Sequence, residues 1–332
     1  MMNRKKITIK EFAEKLGVSI ATVSRAFSDK GRISDKTRQE IIVKAQEYGY
    51  RANIHARNLI SRSNNTIALL FPAISHEEPD YFITEIMLGI NETLAKYRKI
   101  LQVHPFPFDA SEKELEIYKD YILNGSFEGI IVVAGARGSN RLVSTAQSGN
   151  IPYAVIGHMS GIGENSVLFD NEYGAFLAGK YFKDTGRRHP AYVGGHLDKR
   201  KKRGFQEGFG ANGARIVFAE GGSSFRHGGT AFETLQKTHP EVDCVLCAND
   251  VLAIGFIKAA LNRNIKVPQD IAVIGFDDIK PSRYFTPALS SVSLKLFELG
   301  ECSVKILMQV IEEDKPVNSE TIECDLILRQ SS

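Results

Sequence analysis

Two spacings of apolar residues divide this chain of 332 residues. Up to about residue 49 they recur three and four apart, the period of helices that hide one face. From Thr66 onward, short unbroken apolar runs alternate with amphipathic stretches, as in parallel strands covered by helices. In the first region Thr8 and Glu11 have capping-box spacing, and Ile9, Phe12, Ala13 and Leu16 share a face. Gly17 then stands where a helix ends in the left-handed conformation. Ser19 caps a second helix, Ile20 to Phe27, with Val18, Val23 and Phe27 turned back onto the first and Ile20, Ala21, Ser24 and Arg25 left free. Ser34 caps a third, to about Tyr48, which buries Ile41, Ile42, Ala45 and Tyr48 and stops at Gly49. The first two have the spacing of a helix-turn-helix, whose second helix enters a major groove; a plain αα-hairpin is the alternative.

Charge separates those alternatives. Residues 1–62 hold 14 Lys and Arg against 6 Asp and Glu, a net of +8, so the other 270 residues carry −5 to give the overall +3. Basicity confined to strongly periodic helices points to a polyanion partner, because phosphate neutralisation supplies most sequence-independent affinity for DNA. From Tyr50 to Asn65 the chain is polar and basic, and Asn53 to Ile60 is too short to be a stable helix until something packs on it.

The second region contains the runs 67–71, 100–104, 129–134, 153–157, 191–195, 244–248 and 271–276. About ten strands fit two doubly wound sheets better than one, and ligands of such sheets bind at the carboxyl ends of the strands. Asn249, Asp250, Asp277 and Asp278 follow two of those runs directly. Asn249 and Asp277 suit a hydroxyl-rich ligand; Asp250 and Asp278 suit helix caps. Phe276 and Phe285 would serve as an apolar wall or as core.

Composition admits a globular protein of two or three domains, and neither a membrane span nor an apolar signal core is present, so a cytoplasmic location is expected. The four cysteines are too scattered for a disulfide framework, and Cys244 and Cys247, three apart on a strand, face opposite ways and cannot grip one metal. No cofactor and no metal are expected. Dinucleotide, P-loop, nucleophile-elbow and zinc-protease signatures are all missing, which argues against an enzyme. The glycine-rich stretches 135–138 and 220–229 read as loops at strand ends.

The motifs TIKEFAEKLGVSIATVSRAF (8–27), YGYRAN (48–53), HARNL (55–59), GFDD (275–278) and LILR (326–329) occur in an order and spacing that resemble the LacI/GalR family of bacterial transcription regulators. The resemblance implies an α/β chain in which a small all-α helix-turn-helix domain (1–49) and a hinge (50–65) precede a periplasmic-binding-protein-like core (66–332). It places one doubly wound subdomain at about 66–160 and 293–320 and the other at 161–292 and 321–332. It further implies DNA contacts from Thr8, Ser19, Ile20, Ala21, Thr22, Ser24 and Arg25, and from Asn53, Arg57 and Leu59 in the hinge. Arg25 would read a guanine edge, and Leu59 would wedge into the minor groove. Ala52, where the family more often has proline, would loosen the entry to the hinge.

By the same resemblance an effector lies between the subdomains against Phe82, Ile83, Asp170, Lys201, Asn249 and Asp277. Lys201 stands where the family usually has arginine, so a planar two-point grip is lost. The run KRKKR (199–203) either favours an anionic effector or is a solvated helix face. The expected protein is a sequence-specific DNA-binding regulator, a repressor of carbohydrate-related genes under allosteric control. Its partners would be a pseudo-palindromic operator and a sugar or sugar derivative, with a purine as second choice. It would be a homodimer, because one short recognition helix reads few base pairs and a palindromic site doubles the contacts, and no heptad tail is expected to join dimers into tetramers. The alternative is a stand-alone sugar-binding or sugar-modifying protein with a basic head.

Overall fold

A computed structural model describes residues 7–27, 33–50, 65–73, 79–124, 127–195, 198–210, 216–220 and 222–332. The chain forms two compact units, residues 1–64 and 65–332. In the first, α1 (Ile9–Leu16), α2 (Ile20–Ala26) and α3 (Asp35–Tyr48) enclose a core of Phe12, Ala13, Val23, Ala26, Ile41, Ala45 and Tyr50. Thr8 and Glu11 form the capping box, and Ser19 and Ser34 cap α2 and α3 through bonds from Thr22 N (3.1 Å) and Thr37 N (3.2 Å). Gly17 and Gly49 both end their helices at φ +65°, where a Cβ would be strained. Two apolar residues differ from expectation. Ile9 is exposed, and Tyr50, stacked on Phe12 at 4.4 Å, replaces Tyr48, which lies against the edge of Phe12 with its own ring largely in solvent. Tyr50 lies beyond α3, where helical periodicity no longer applies.

The second unit holds two six-stranded sheets. The first is ordered β11 (Glu320–Ile322), β5 (Ser166–Phe169), β4 (Tyr153–Ile156), β3 (Gly129–Val133), β1 (Thr66–Ala73), β2 (Ile100–Pro107), all parallel. The second is ordered β12 (Asp325–Ile327), β10 (Ser290–Ser293), β9 (Ala272–Asp277), β8 (Cys244–Cys247), β6 (Pro190–Gly194), β7 (Val217–Glu220), parallel except that β12 runs against β10. Helices α4 (Tyr81–Lys96), α5 (Glu112–Leu123), α6 (Arg137–Ser148) and α11 (Leu296–Glu313) belong with the first sheet. With the second go α7 (Asn171–Asp184), α8 (Lys199–Phe209), α9 (Phe225–Thr238) and α10 (Asp250–Asn262).

Two boundaries are corrected. Residues 161–169 belong to the first sheet, because β5 pairs with β4 and β11, so the chain first changes sheets after Phe169 rather than at 160. It returns after β10 and crosses a third time between Ile322 and Asp325. A strand of four residues shows from its own sequence that it is a strand, not which sheet it joins. The stretch 220–229 is also more than loop, since Phe225 onward is α9. There Gly228 packs so closely that an added Cβ would lie 2.0 Å from the Leu252 carbonyl oxygen. Cys244 and Cys247 are both buried in β8, and burial pushes their thiols up, as in a core strand.

Candidate DNA-reading face and effector cleft

On α2 the buried residues are Val23 and Ala26; Ile20, Ala21 and Arg25 are exposed, and Thr22 and Ser24 are half-buried. The first turn is organised by Ser19, whose hydroxyl also lies 2.8 Å from that of Thr22, while Thr8 is tied to Glu11. These hydroxyls therefore set the helix starts before any contact with a partner. Ile20 is 47 % exposed on this face of α2. Asn53, Arg57 and Leu59 lie outside the described residues.

Between the two sheets of the second unit lies a cavity of about 600 Å³ at the carboxyl ends of the strands. Phe71 and Pro72 close β1, Val133 to Gly135 follow β3, Phe169 ends β5, Gly195 follows β6, Ala248 and Asn249 follow β8, and Asp277 ends β9. Phe82 and Ile83, on the first turn of α4, and Lys201, on α8, complete the expected set. Asp170 is the exception. It caps α7, accepting from Glu172 N (3.1 Å) and Tyr173 N (3.2 Å), and its neighbour Asn171 lines the cavity instead. Asp170 is thus placed at the helix start beside the cavity and not in its lining.

The cap expected of Asp250 is supplied by Asn249, which also lines the cavity. Asn249 Oδ1 accepts from Leu252 N at 2.8 Å and caps α10, which leaves its amide NH₂ as the group to offer a ligand. Asp250 is fully buried and accepts from Ile279 N (2.8 Å), Ser282 Oγ (2.6 Å) and Ser291 Oγ (2.5 Å). It thus pins the segment after β9 to α10. Asp278, also expected as a cap, is paired with Arg329 at 2.6 Å and Arg283 at 3.7 Å. Phe276 is core rather than wall, and Lys201 Nζ lies 3.9 Å above its ring while donating to the Ala248 carbonyl at 2.7 Å.

Asp277 has φ +102°, which a residue other than glycine rarely adopts. No described group donates a hydrogen bond to its carboxylate. Burial holds its carboxyl well above the usual carboxylate range; Asp250, Asp80 and Asp198 add to this, and Lys201 opposes it. Strain of this kind persists where surrounding structure enforces it, commonly at ligand sites. Of the run 199–203, only Lys201 reaches the cavity. Arg203 pairs with Glu172, Arg200 with Asp170 and Glu172, and Lys202 sits over Tyr192 and Phe218. Two members of the run are thus ion-paired on the helix face, and Lys199 is exposed outside the cavity lining. Among the described residues no group of three or more His, Cys, Asp or Glu could hold a metal ion, and no helix is long and apolar enough to cross a membrane.

Residues 8–53 match the bacterial regulatory proteins of the lacI family, and residues 180–332 match a periplasmic binding protein-like domain. The chain is 32% identical to the HTH-type transcriptional repressor PurR of Erwinia tasmaniensis over 95% of its own length and 93% of the relative's. The chain belongs to the LacI family. Its fold is that of the Lac repressor dimer bound to operator and the anti-inducer ONPF (TM-score 0.83, 22% identity, 98% and 99% of the two chains). The transcriptional regulator CelR, in complex with cellobiose, shares the fold at a TM-score of 0.72, 23% identity and coverage of 98% and 100%.

This LacI-family member is therefore a DNA-binding transcription regulator with a helix-turn-helix head and an effector-type core, not an enzyme. Several cleft residues escape motif reading. Asp80, Asp198 and the aromatic groups of Phe71, Tyr81, Phe108 and Phe169 all line the cavity. The signal that finds Asp80 and Asp198 is their place just after a strand and before a helix, the same rule that selected Asp277. For the aromatics no local signal exists, since on the sequence they are indistinguishable from core.

Proposed function

We propose that this regulator is a cytoplasmic, dimeric repressor of carbohydrate-related genes whose operator binding is set by a small molecule in the cleft between the two sheets. The observation that carries the reading is Asp277: a carboxylate in a strained backbone conformation, facing a cavity, with no donor of its own. A ligand that supplies the donor binds better to the subdomain orientation that presents it, and shifts the population toward that orientation. Asn249 offers its amide NH₂, and Phe82 with the neighbouring aromatics offers faces on which a sugar or a flat ring can rest. The cellobiose bound by CelR supports a sugar, and the name of the PurR relative keeps a purine as the second candidate.

In the head, the exposed face of α2 supports base reading by Arg25, with Ile20 and Ala21 against thymine methyls. Hinge residues Asn53, Arg57 and Leu59 complete the proposal, Leu59 as a wedge at the centre of a two-fold site. The test is a gel shift on fragments of bacterial DNA with and without a panel of sugars and purines. Salt-sensitive, sequence-selective retention that one ligand class alters supports the reading. Asp277→Ala should abolish that alteration while keeping retention in its absence. Equal retention of every fragment would refute the operator, and an unchanged ligand response in Asp277→Ala would refute the cleft.

A further inference from the structure

Among the described residues, the charges that face the cavity are three carboxylates, Asp80, Asp198 and Asp277, and one ammonium, Lys201. Lys201 is already engaged, bonded to the Ala248 carbonyl and seated over Phe276. Asp80 accepts from Ile83 N (3.1 Å), with Phe82 N also close, and Asp198 accepts from Gly195 N (2.8 Å), with the Tyr192 hydroxyl beside it. Asp277 accepts from no described group. Asn171, on the same wall, holds its Oδ1 buried without a partner. Among the described residues the cleft is thus rich in carboxylates and net negative, with the Asn249 amide NH₂ as a neutral donor beside the one ammonium.

Resting on the effector reading above, we propose that the cleft selects a small molecule carrying a protonated amine, or a comparably strong N–H donor group, and bearing neither carboxylate nor phosphate. An anion would meet like charge in a partly desolvated space, where Coulomb interactions are several times stronger than in water. It would find only Lys201 to compensate it, at the loss of the Ala248 bond. A cation placed among Asp198, Asp277 and Asp80 instead offsets the burial that holds the Asp277 carboxyl up and the repulsion among the carboxylates that adds to it. The basic run 199–203 does not oppose this, because its other members are paired or turned away from the cavity.

The test uses the full-length protein with probes matched on one scaffold. Glucose, glucosamine, glucuronate and glucose 6-phosphate form one set; adenosine, 5′-amino-5′-deoxyadenosine and adenosine 5′-monophosphate form the other. Titration calorimetry and thermal shift should find, in at least one set, an amine about tenfold or more tighter than its neutral parent and an anion that does not bind. Asp198→Asn keeps an acceptor for Gly195 and should remove the advantage of the amine over its neutral parent, so that the two bind within about twofold of each other. An anionic member binding more tightly than the amine overturns the proposal, and so does the absence of stabilisation by every amine. If an anion binds and Asp277→Ala removes it, the cleft is still the effector site and only the charge preference is wrong. If any member binds equally to Asp277→Ala, the effector reading itself fails.

Discussion

Asp250 gives the sharpest mechanical prediction. Its carboxylate, fully buried at the first residue of α10, accepts from Ile279 N, Ser282 Oγ and Ser291 Oγ, and so anchors the segment that carries Asp277 and Asp278. Asp250→Ala leaves these three donors buried. At about 1–1.5 kcal/mol net for each bond, the loss is roughly 3–5 kcal/mol where the carboxyl is protonated and its own burial carries little penalty. Burial pushes this carboxyl up to about 7, and the three donors only partly oppose it. Between the ordinary aspartate value of about 4 and that value, the folded state holds a proton that the unfolded state has released. Wild-type stability therefore falls as pH rises through this window, by at most ~1.4 kcal/mol per pH unit, and the variant lacks this slope. The difference between them should be largest at or below about pH 4, and should shrink by at least ~1 kcal/mol between pH 5 and pH 8. Urea unfolding of both proteins at the two pH values measures it. A difference that grows with pH, or one below ~1 kcal/mol at pH 5, would refute the anchor. The variant should also respond to effector only at higher concentration, with operator binding in its absence retained.

Three further outcomes are expected. Arg25→Ala should lose about 1–3 kcal/mol on the specific operator and relax preference at one base pair, measured by competition gel shift; equal loss on all DNA would make Arg25 a phosphate contact. Phe12→Ala removes the ring stacked on Tyr50 from a core of seven buried side chains, and at about 3–5 kcal/mol should unfold the head. Operator binding would vanish while the calorimetric transition of the core stays in place, and a head still folded by NMR would contradict this. In Gly204→Ala, the new Cβ would lie 1.9 Å from the Glu172 carbonyl oxygen, so α7 and α8 must separate and the melting temperature of the core should drop by several degrees. An unchanged melting temperature would show that this helix contact yields freely.

The head was almost entirely legible. Its caps and stops rest on bonds between residues three or four apart, as with Thr8 and Glu11, Ser19 and Thr22, and Ser34 and Thr37, so spacing alone specifies them. The same locality explains the seven apolar runs that became strands. Sequence and charge asymmetry also carried the regulator class, because both follow from a family pattern spread along the chain. Contacts between distant residues were not legible. Whether Asn249 or Asp250 capped α10 was decided by Ile279, Ser282 and Ser291, brought to Asp250 from about thirty to forty residues away. Asp170 looked like a cleft ligand until its carboxylate closed on the start of α7. The basic run at 199–203 read as a possible anion site, yet Glu172 and Asp170, distant in sequence, neutralise two of its members. Ser166–Phe169 was placed in the first sheet by its neighbours β4 and β11, since a strand's partners depend on which edges are free when the chain arrives. The acid-rich cleft itself exists only because the strand ends of two sheets face one another, gathering Asp80, Asp198 and Asp277 where like charges must share one small volume.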